Sequence, residues 1–284
     1  MVTRKVPLER DPPVVSVCIP TYRGAAHVAA AIDSVLIQTF TDFELLIVDD
    51  DSPDETAMVV SRYRDGRIRF VRNERRLGAE GNWNRCLALA RGRYLKLLPQ
   101  DDLIARECLA RQVAVLEADH SHTLALVFCA RTIIDASGRA IMTRGYPSRH
   151  GGAIPGTSVI RSCLRRGTNL VGEPGAVLFR NDLARRTGGF DASIGYIIDL
   201  DYWLRLLLQG DAHYVPEALA SFRISPGSWS VAIGMQQSVQ FRKFLAKIAG
   251  NGAFTVSVTD LALGRLMAQV NAMLRLLLYR AVLP

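Results

Sequence analysis

The 284 residues are 49% hydrophobic, with a formal charge of +8 and a pI near 9.5, enough for one large α/β domain or two small ones with a substantial core. Of the 35 basic residues, 31 are arginines. Their planar forks suit phosphate, so the basic surface points to anionic partners such as a nucleotide or an anionic lipid. Nucleic acid is set aside, because no finger, basic helix or aromatic RNA-binding signature is present.

The first 13 residues form a polar, Pro-containing tail without the pattern of a signal peptide. Val14-Val15-Ser16-Val17-Cys18-Ile19-Pro20 predicts a buried strand stopped by Pro20, with Thr21-Tyr22-Arg23-Gly24 as the loop at its carboxyl end. A helix follows, with Val28, Ile32, Val35 and Leu36 on one face. Leu45-Leu46-Ile47-Val48 shows no alternation and predicts a strand buried on both faces. It runs into Asp49-Asp50-Asp51, which a buried strand cannot hold unpaired, so these acids belong at its carboxyl edge, where open α/β sheets bind ligands. Ser52, Pro53 and Glu55 read as the cap and first turn of a helix reaching Tyr63. Residues 67–71 predict a third strand and residues 73–81 a polar loop. Asn82 is predicted to cap a helix ending near Gly92. Residues 94–98 predict a fourth strand, followed by a second acidic corner, Gln100-Asp101-Asp102. Strand–helix alternation with short links predicts a mostly parallel sheet with both corners at one edge.

The second half is less regular. It predicts a helix over 103–118, a strand over 124–130 and a hairpin turning at Ser137-Gly138. A Gly- and Pro-rich loop, a basic helix over 157–166 and a strand over 175–180 follow. Asn181 is predicted to cap a short helix ending at Gly188-Gly189, Leu200, Trp203, Leu204, Leu207 and Leu208 form a helical stripe, and 218–224 read as a strand. Two helices close the chain, near 235–249 and 259–279. No apolar run reaches the ~18 residues of a membrane span. Five scattered cysteines (Cys18, Cys86, Cys108, Cys129 and Cys163) lack metal or disulfide spacing and read as buried thiols of a reducing, cytoplasmic compartment.

The strings VSVCIPTYRG, QTFTDFELLIVDDDSPDET, RNERRLGAEGNWNRCLALARGRYLKLLPQDD and GGFD…IDLDYWLRL together resemble family 2 glycosyltransferases of the GT-A fold, over roughly residues 14–230. The resemblance implies an α/β, Rossmann-like fold with a mostly parallel central sheet flanked by helices. The expected division is a tail (1–13), a GT-A catalytic domain (14–232) and a C-terminal helical extension (233–284). Within the domain, 14–102 would bind nucleotide and 103–232 the acceptor. The implied activity is inverting transfer of a sugar from a UDP- or dTDP-sugar to an acceptor hydroxyl, in cell-envelope polysaccharide or glycolipid synthesis. The alternatives are a degenerate carbohydrate-binding module and a sugar nucleotidyltransferase, whose Gly-rich phosphate loop Thr21-Tyr22-Arg23-Gly24 matches poorly.

By motif match, Thr21, Tyr22, Arg23, Asp49, Asp50, Gly78, Asn82 and Asp101 would contact the donor nucleotide. Gly78 and Asn82 have an alternative reading as turn and cap, and Arg85 is either a phosphate contact or a surface residue. Asp51 stands where the family usually has Gly and reads as a solvated turn residue. Pro99 replaces the first acid of the DxD motif, so Asp101 is the expected ligand of Mn2+ or Mg2+, with Asp102 capping the next helix. Asp199 is the expected general base; its alternative is a helix cap, with Asp201 paired to Arg205. Glu173, Asp191 and Arg223 are expected on the side of a glycan or lipid-linked acceptor, where Ser225 replaces a His frequent in the family. The last helix, with Leu263, Leu266, Met267, Val270, Leu274, Leu277 and Leu278 on one face and Arg265, Arg275 and Arg280 elsewhere, suits peripheral contact with the inner face of the membrane. Packing on the domain or in a homodimer is the alternative.

Overall fold

The computed structural model describes residues 11–225 and 229–282. The tail to residue 10 and Pro226, Gly227 and Ser228 of the expected acceptor-side loop lie outside them. The first half runs β1 (Val15–Thr21), α1 (Val28–Leu36), β2 (Phe43–Asp49), α2 (Thr56–Ser61), β3 (Ile68–Arg72), α3 (Gly78–Leu89) and β4 (Tyr94–Leu97). The second contains β5 (Leu103–Ile104), α4 (Cys108–Ala118), β6 (Leu124–Ile134), β7 (Ala140–Arg144), β8 (Gly152–Ile154), α5 (Gly156–Arg166), β9 (Val177–Arg180), α6 (Asn181–Thr187) and α7 (Ile198–Leu207). β10 (Asp211–Arg223), α8 (Trp229–Ile233), α9 (Gln236–Gly250) and α10 (Val258–Val282) complete it.

One sheet runs through both halves in the order β3-β2-β1-β4-β9-β6-β10-β5. β1, β2, β3 and β4 are parallel, β9 runs against both its neighbours, and β6 and β10 are parallel again. The sheet is therefore mixed, yet β1, β2, β4, β6 and β10 deliver their carboxyl ends to one edge. The amino end of β9 reaches the same edge. Leu45 and Ile47 enter a core with α1 and α4, while Leu46 and Val48 enter another with α3, α5 and α7. This two-sided burial is what the unbroken apolar run requires.

Several local predictions give way to long-range bonds. Pro20 lies inside β1, because Cys18 O accepts from Leu98 N and Thr21 O from Asp50 N. Pro20 thus faces the β4 side, beyond the last rung of that pairing, Cys18 with Leu97, and its missing N–H leaves no gap. Ser52 does not cap a helix; its hydroxyl donates to Asp49 Oδ1, and α2 starts only at Thr56. Asn82 lies within α3, and its amide donates to Val48 O at 3.0 Å. Asp102 caps nothing: the expected helix begins at Cys108, after the short β5, and Asp102 Oδ1 accepts from Arg223 N at 3.0 Å. Asn181 donates to Gly92 O at 2.7 Å and opens no cap.

α10 corrects the expectation that no apolar run reaches the length of a membrane span. Val258–Arg280 is long and apolar enough to cross a membrane by length and composition. The predicted apolar stripe also faces outward: Leu266, Leu274 and Leu277 are about 60% exposed. The face packed on α5 and α9 is made of small residues, Gly264, Ala268 and Ala272, with Asp260 bonded to Arg161 and Arg165. Small side chains let the helix axes approach, so the bulky residues are left outside.

Gly264 tests that closeness. A Cβ there would sit 2.4 Å from Leu164 O. Alanine normally gains about 1 kcal/mol over glycine within a helix. Here Gly264→Ala is expected to lose about 1–3 kcal/mol through overpacking, as read by urea denaturation; a net gain would show that α10 is not held so tightly.

Candidate active site

The two acidic corners meet at the sheet edge. At the first, Asp49 is wholly buried and spends its carboxylate on Ser52, accepting from its N–H at 3.1 Å and its hydroxyl at 2.5 Å. Asp50 Oδ1 accepts from Leu77 N at 2.7 Å and Asn73 Nδ2 at 3.0 Å, and Oδ2 from Gly78 N at 2.9 Å. Asp50 thereby draws the 73–78 loop over the edge, and Gly78 permits the turn with φ of 78°. Asp51 takes φ of 57°, a conformation glycine adopts freely and Asp tolerates. Its half-exposed carboxylate pairs with Arg72 at 2.8 Å.

A cavity of about 250 Å³ opens here, lined by Thr21, Tyr22, Asp50, Gly78, Asn82 and Asp101 together with Arg76 and Gln100. Six of the eight expected donor residues thus converge. Asp49 and Arg23 do not line it; Arg23 is exposed, and its N–H donates to Ser52 Oγ at 2.9 Å. Gln100 Oε1 accepts from Tyr22 N at 2.8 Å, and its amide donates to Tyr22 O at 3.1 Å, fastening the β1 loop to the second corner. Arg76 lies 4.1 Å from the Tyr22 ring centroid. Arg85 is exposed and lines neither this cavity nor the next.

A second cavity, about 330 Å³, shares Trp83, Pro99 and Asp101 with the first and reaches down to Glu173, Asp199, Arg223 and α10. Asp101 therefore stands at the junction. Its carboxyl is raised by burial, and among the described residues it receives only its own main-chain N–H, with the charges of His27 and Arg223 nearby. Among the described residues no group of three or more His, Cys, Asp or Glu side chains converges. This donor set fits a cation shared with phosphate oxygens, not one caged by protein ligands.

Asp199, at the start of α7, accepts from Leu200 N at 2.7 Å and Asn169 Nδ2 at 2.9 Å. Burial, with the charge of Glu173 second, pushes its carboxyl up to about 7. Glu173 goes the other way. Burial alone would raise it, but Arg131 at 2.5 Å, with Arg144 behind, holds it below its ordinary value. Two carboxyls pushed apart in this way are suited to different roles. Arg223 is buried, and its guanidinium donates to Asp101 O, Asp135 O and Ala136 O, tying the hairpin to the second corner. Asp191 does not line the cavity. Lys247 bonds it at 2.8 Å and Asp201 at 2.7 Å, and Asp201 also pairs with Arg205 at 2.8 Å.

Residues 16–180 match the family model described as glycosyl transferase family 2. The chain belongs to this family. It is similar to an uncharacterized protein of Mycobacterium tuberculosis, 33% identical over 221 residues that cover 73% of this chain and 66% of that one. It is also similar to the UDP-Glc:alpha-D-GlcNAc-diphosphoundecaprenol beta-1,3-glucosyltransferase WfgD of Escherichia coli, 38% identical over 106 residues, 37% of this chain and 42% of that one. The chain spans about two thirds or less of the length of these curated relatives. Two solved structures share its fold. One is the mannosyltransferase PcManGT of Pyrobaculum calidifontis in complex with GDP-Man and Mn2+ (TM-score 0.67, 20% identity, 98% of this chain and 79% of that one). The other is S. aureus TarS in complex with UDP-GlcNAc (TM-score 0.66, 17% identity, 92% and 72%). The GT-A architecture expected from the motifs is thus the observed fold of this family 2 chain.

Sequence reasoning missed several residues of the site. Lys96, buried in β4, donates to Gly175 O at 2.8 Å and Val177 O at 3.1 Å, fixing the segment that carries Glu173. Arg131 and Asn169 orient Glu173 and Asp199. A lysine inside an apolar strand was the one visible signal; the others lack any motif.

The raised carboxyl has a stability consequence. An unfolded Asp titrates at about 3.9, and Asp199 titrates near 7 when folded. Between these values the native state binds more protons, so Asp199 makes stability fall as pH rises through that window. Asp199→Asn cannot titrate. The unfolding free energy of the wild type minus that of the variant is therefore expected to drop between pH 5 and pH 8 in urea titrations; a constant difference would mean ordinary ionisation.

Proposed function

We propose that this chain is an inverting glycosyltransferase, moving a sugar from a UDP- or dTDP-sugar to a hydroxyl of a glycan or lipid-linked acceptor. One observation carries the reading: a carboxyl poised near pH 7 faces a cavity that joins the nucleotide-sized cavity at Asp101. Thr21, Tyr22, Asp50, Gly78 and Asn82 frame the nucleoside, with Asp50 held open by main-chain donors. Asp49 and Arg23 support that frame through Ser52. Asp101 and the donor diphosphate would hold Mn2+ or Mg2+, which neutralises charge on the departing diphosphate. The complex of PcManGT with GDP-Man and Mn2+ and that of TarS with UDP-GlcNAc support a nucleotide-sugar donor.

Asp199 takes the acceptor proton as the new bond forms. A base is most effective with a pKa near the working pH. Asp201 and Asp191 are engaged by Arg205 and Lys247, which favours Asp199 over both. One base and one leaving group on opposite faces favour inversion. The degenerate-module reading rests on Pro99 in place of the first DxD acid. Donor turnover separates the two. Asp199→Asn is expected to lower transfer by ~10²–10⁴ while keeping the thermal shift given by UDP and Mn2+, and wild-type kcat/KM should rise with pH to a plateau with its midpoint near 7. Asp101→Ala should abolish the synergy of UDP and Mn2+. Donor turnover absent from the wild type with every UDP- and dTDP-sugar and acceptor tried would favour the binding module.

The outward face of α10 supports a peripheral position of the enzyme on the cytoplasmic face of a membrane. Exposed Leu263, Leu266, Val270, Met273, Leu274 and Leu277 lie beside exposed Arg265 and Arg280, a pairing suited to an anionic bilayer. The five free, buried cysteines accord with a reducing compartment. Leu266→Glu with Leu274→Glu, at exposed positions, should leave the fold intact and abolish flotation with phosphatidylglycerol liposomes. Unchanged flotation would remove the membrane role, and a shift from dimer to monomer in light scattering would assign the face to a second copy.

A further inference from the structure

The acceptor-side cavity is lined by four arginines, Arg131, Arg144, Arg223 and Arg275, and by the acids Asp101, Asp102, Glu173 and Asp199. Arg223 gives its guanidinium to main-chain carbonyls. Arg131 is matched by Glu173 at 2.5 Å. Among the described residues Arg144 and Arg275 have no carboxylate at ion-pair distance. Arg275 is instead held by three neutral acceptors: Thr168 Oγ1 at 2.6 Å, Gln237 Oε1 at 2.5 Å and Tyr196 OH at 3.1 Å. These bonds aim a guanidinium without cancelling its charge. Arg144 ends β7, half-buried, and burial together with the charges of Arg275 and Arg131 presses its pKa below the ordinary value. Partly buried like charges are unfavourable without a counter-ion, and two guanidinium forks match the oxygens of a phosphate. Neither arginine lines the nucleotide cavity. The cavity wall beside them is apolar, with Phe241 from α9 and Leu278 and Tyr279 from α10.

We propose that Arg144 and Arg275 form an anion subsite for the phosphate or diphosphate ester of the acceptor, with Phe241 and Leu278 flanking the group esterified to it. The inference rests on this cavity being the acceptor side of a transferase. It defines the acceptor class: a phosphorylated glycan carrier, either a lipid diphosphate or a soluble sugar phosphate.

Isothermal titration of the full chain tests it, with inorganic pyrophosphate and with farnesyl diphosphate as probes, each with and without saturating UDP. Both probes are expected to bind the UDP-loaded protein. Arg144→Gln and Arg275→Gln should each weaken them about tenfold or more, the loss of a charge-assisted bond, with UDP affinity unchanged. Arg275→Lys, which keeps the charge but not the fork, covers the case in which Arg275→Gln fails to fold. Tighter binding of farnesyl diphosphate, lost in Leu278→Asp, would identify a lipid carrier; equal binding of the two probes would identify a soluble phosphate. Either upholds the subsite. Probes displaced by UDP, or affinities unchanged in the arginine variants, overturn it. Failure of UDP to bind would sink the transferase reading separately, because the arginine dependence is also read without UDP.

Discussion

A carboxylate removed from water must be paired, bonded or neutral, and the carboxyl edge of this sheet is built by that rule. Asp49 is satisfied by Ser52, Asp50 by Leu77, Gly78 and Asn73, and Glu173 by Arg131. Each of these bonds fixes a loop over the edge, so the acids act as structural anchors. Asp101, Asp102 and Asp199 are left with less. Burial raises all three carboxyls, Asp102 further through the charge of Asp101, and among the described residues none has a cation paired to it at contact distance. Under-compensated acids in a cleft are where chemistry is expected, and here they mark the junction of the two cavities and the floor of the deeper one.

The same logic runs with opposite sign for the arginines of the second cavity. Arg131 is matched, Arg223 is saturated by main-chain carbonyls, and Arg144 and Arg275 retain their charge. Asp199 and Glu173 share the second cavity with these arginines, so both signs of charge line one cleft.

α10 links site and surface. Gly264, Ala268 and Ala272 allow close packing on α5, and Asp260 locks the helix start to Arg161 and Arg165. The geometry turns Tyr279 and Leu278 toward the cavity and Leu266, Leu274 and Leu277 toward the outside. The apolar outer face of α10 thus belongs to the same helix as part of the apolar wall of the cavity.

Local pattern in the sequence was enough for the longer strands and most helices, though not for the short β5 and β8, because period and turn residues report on short stretches of chain. The unbroken apolar run before Asp49 already implied a strand buried on both faces, and strand direction put Asp50 and Asp101 at one edge. Every capping role assigned to Ser52, Asn82, Asp102 and Asn181 went instead to a tertiary bond, since a polar side chain next to a sheet edge finds deeper orphaned groups than the nearest helix end offers. The mixed direction of β9, the partners of Glu173 and Asp199, and the meeting of Arg144 with Arg275 depend on segments tens to more than a hundred residues apart. No periodicity encodes such meetings. The folded topology alone decides which acid is neutralised, which is shifted and which arginine is left, among the described residues, without a counter-charge.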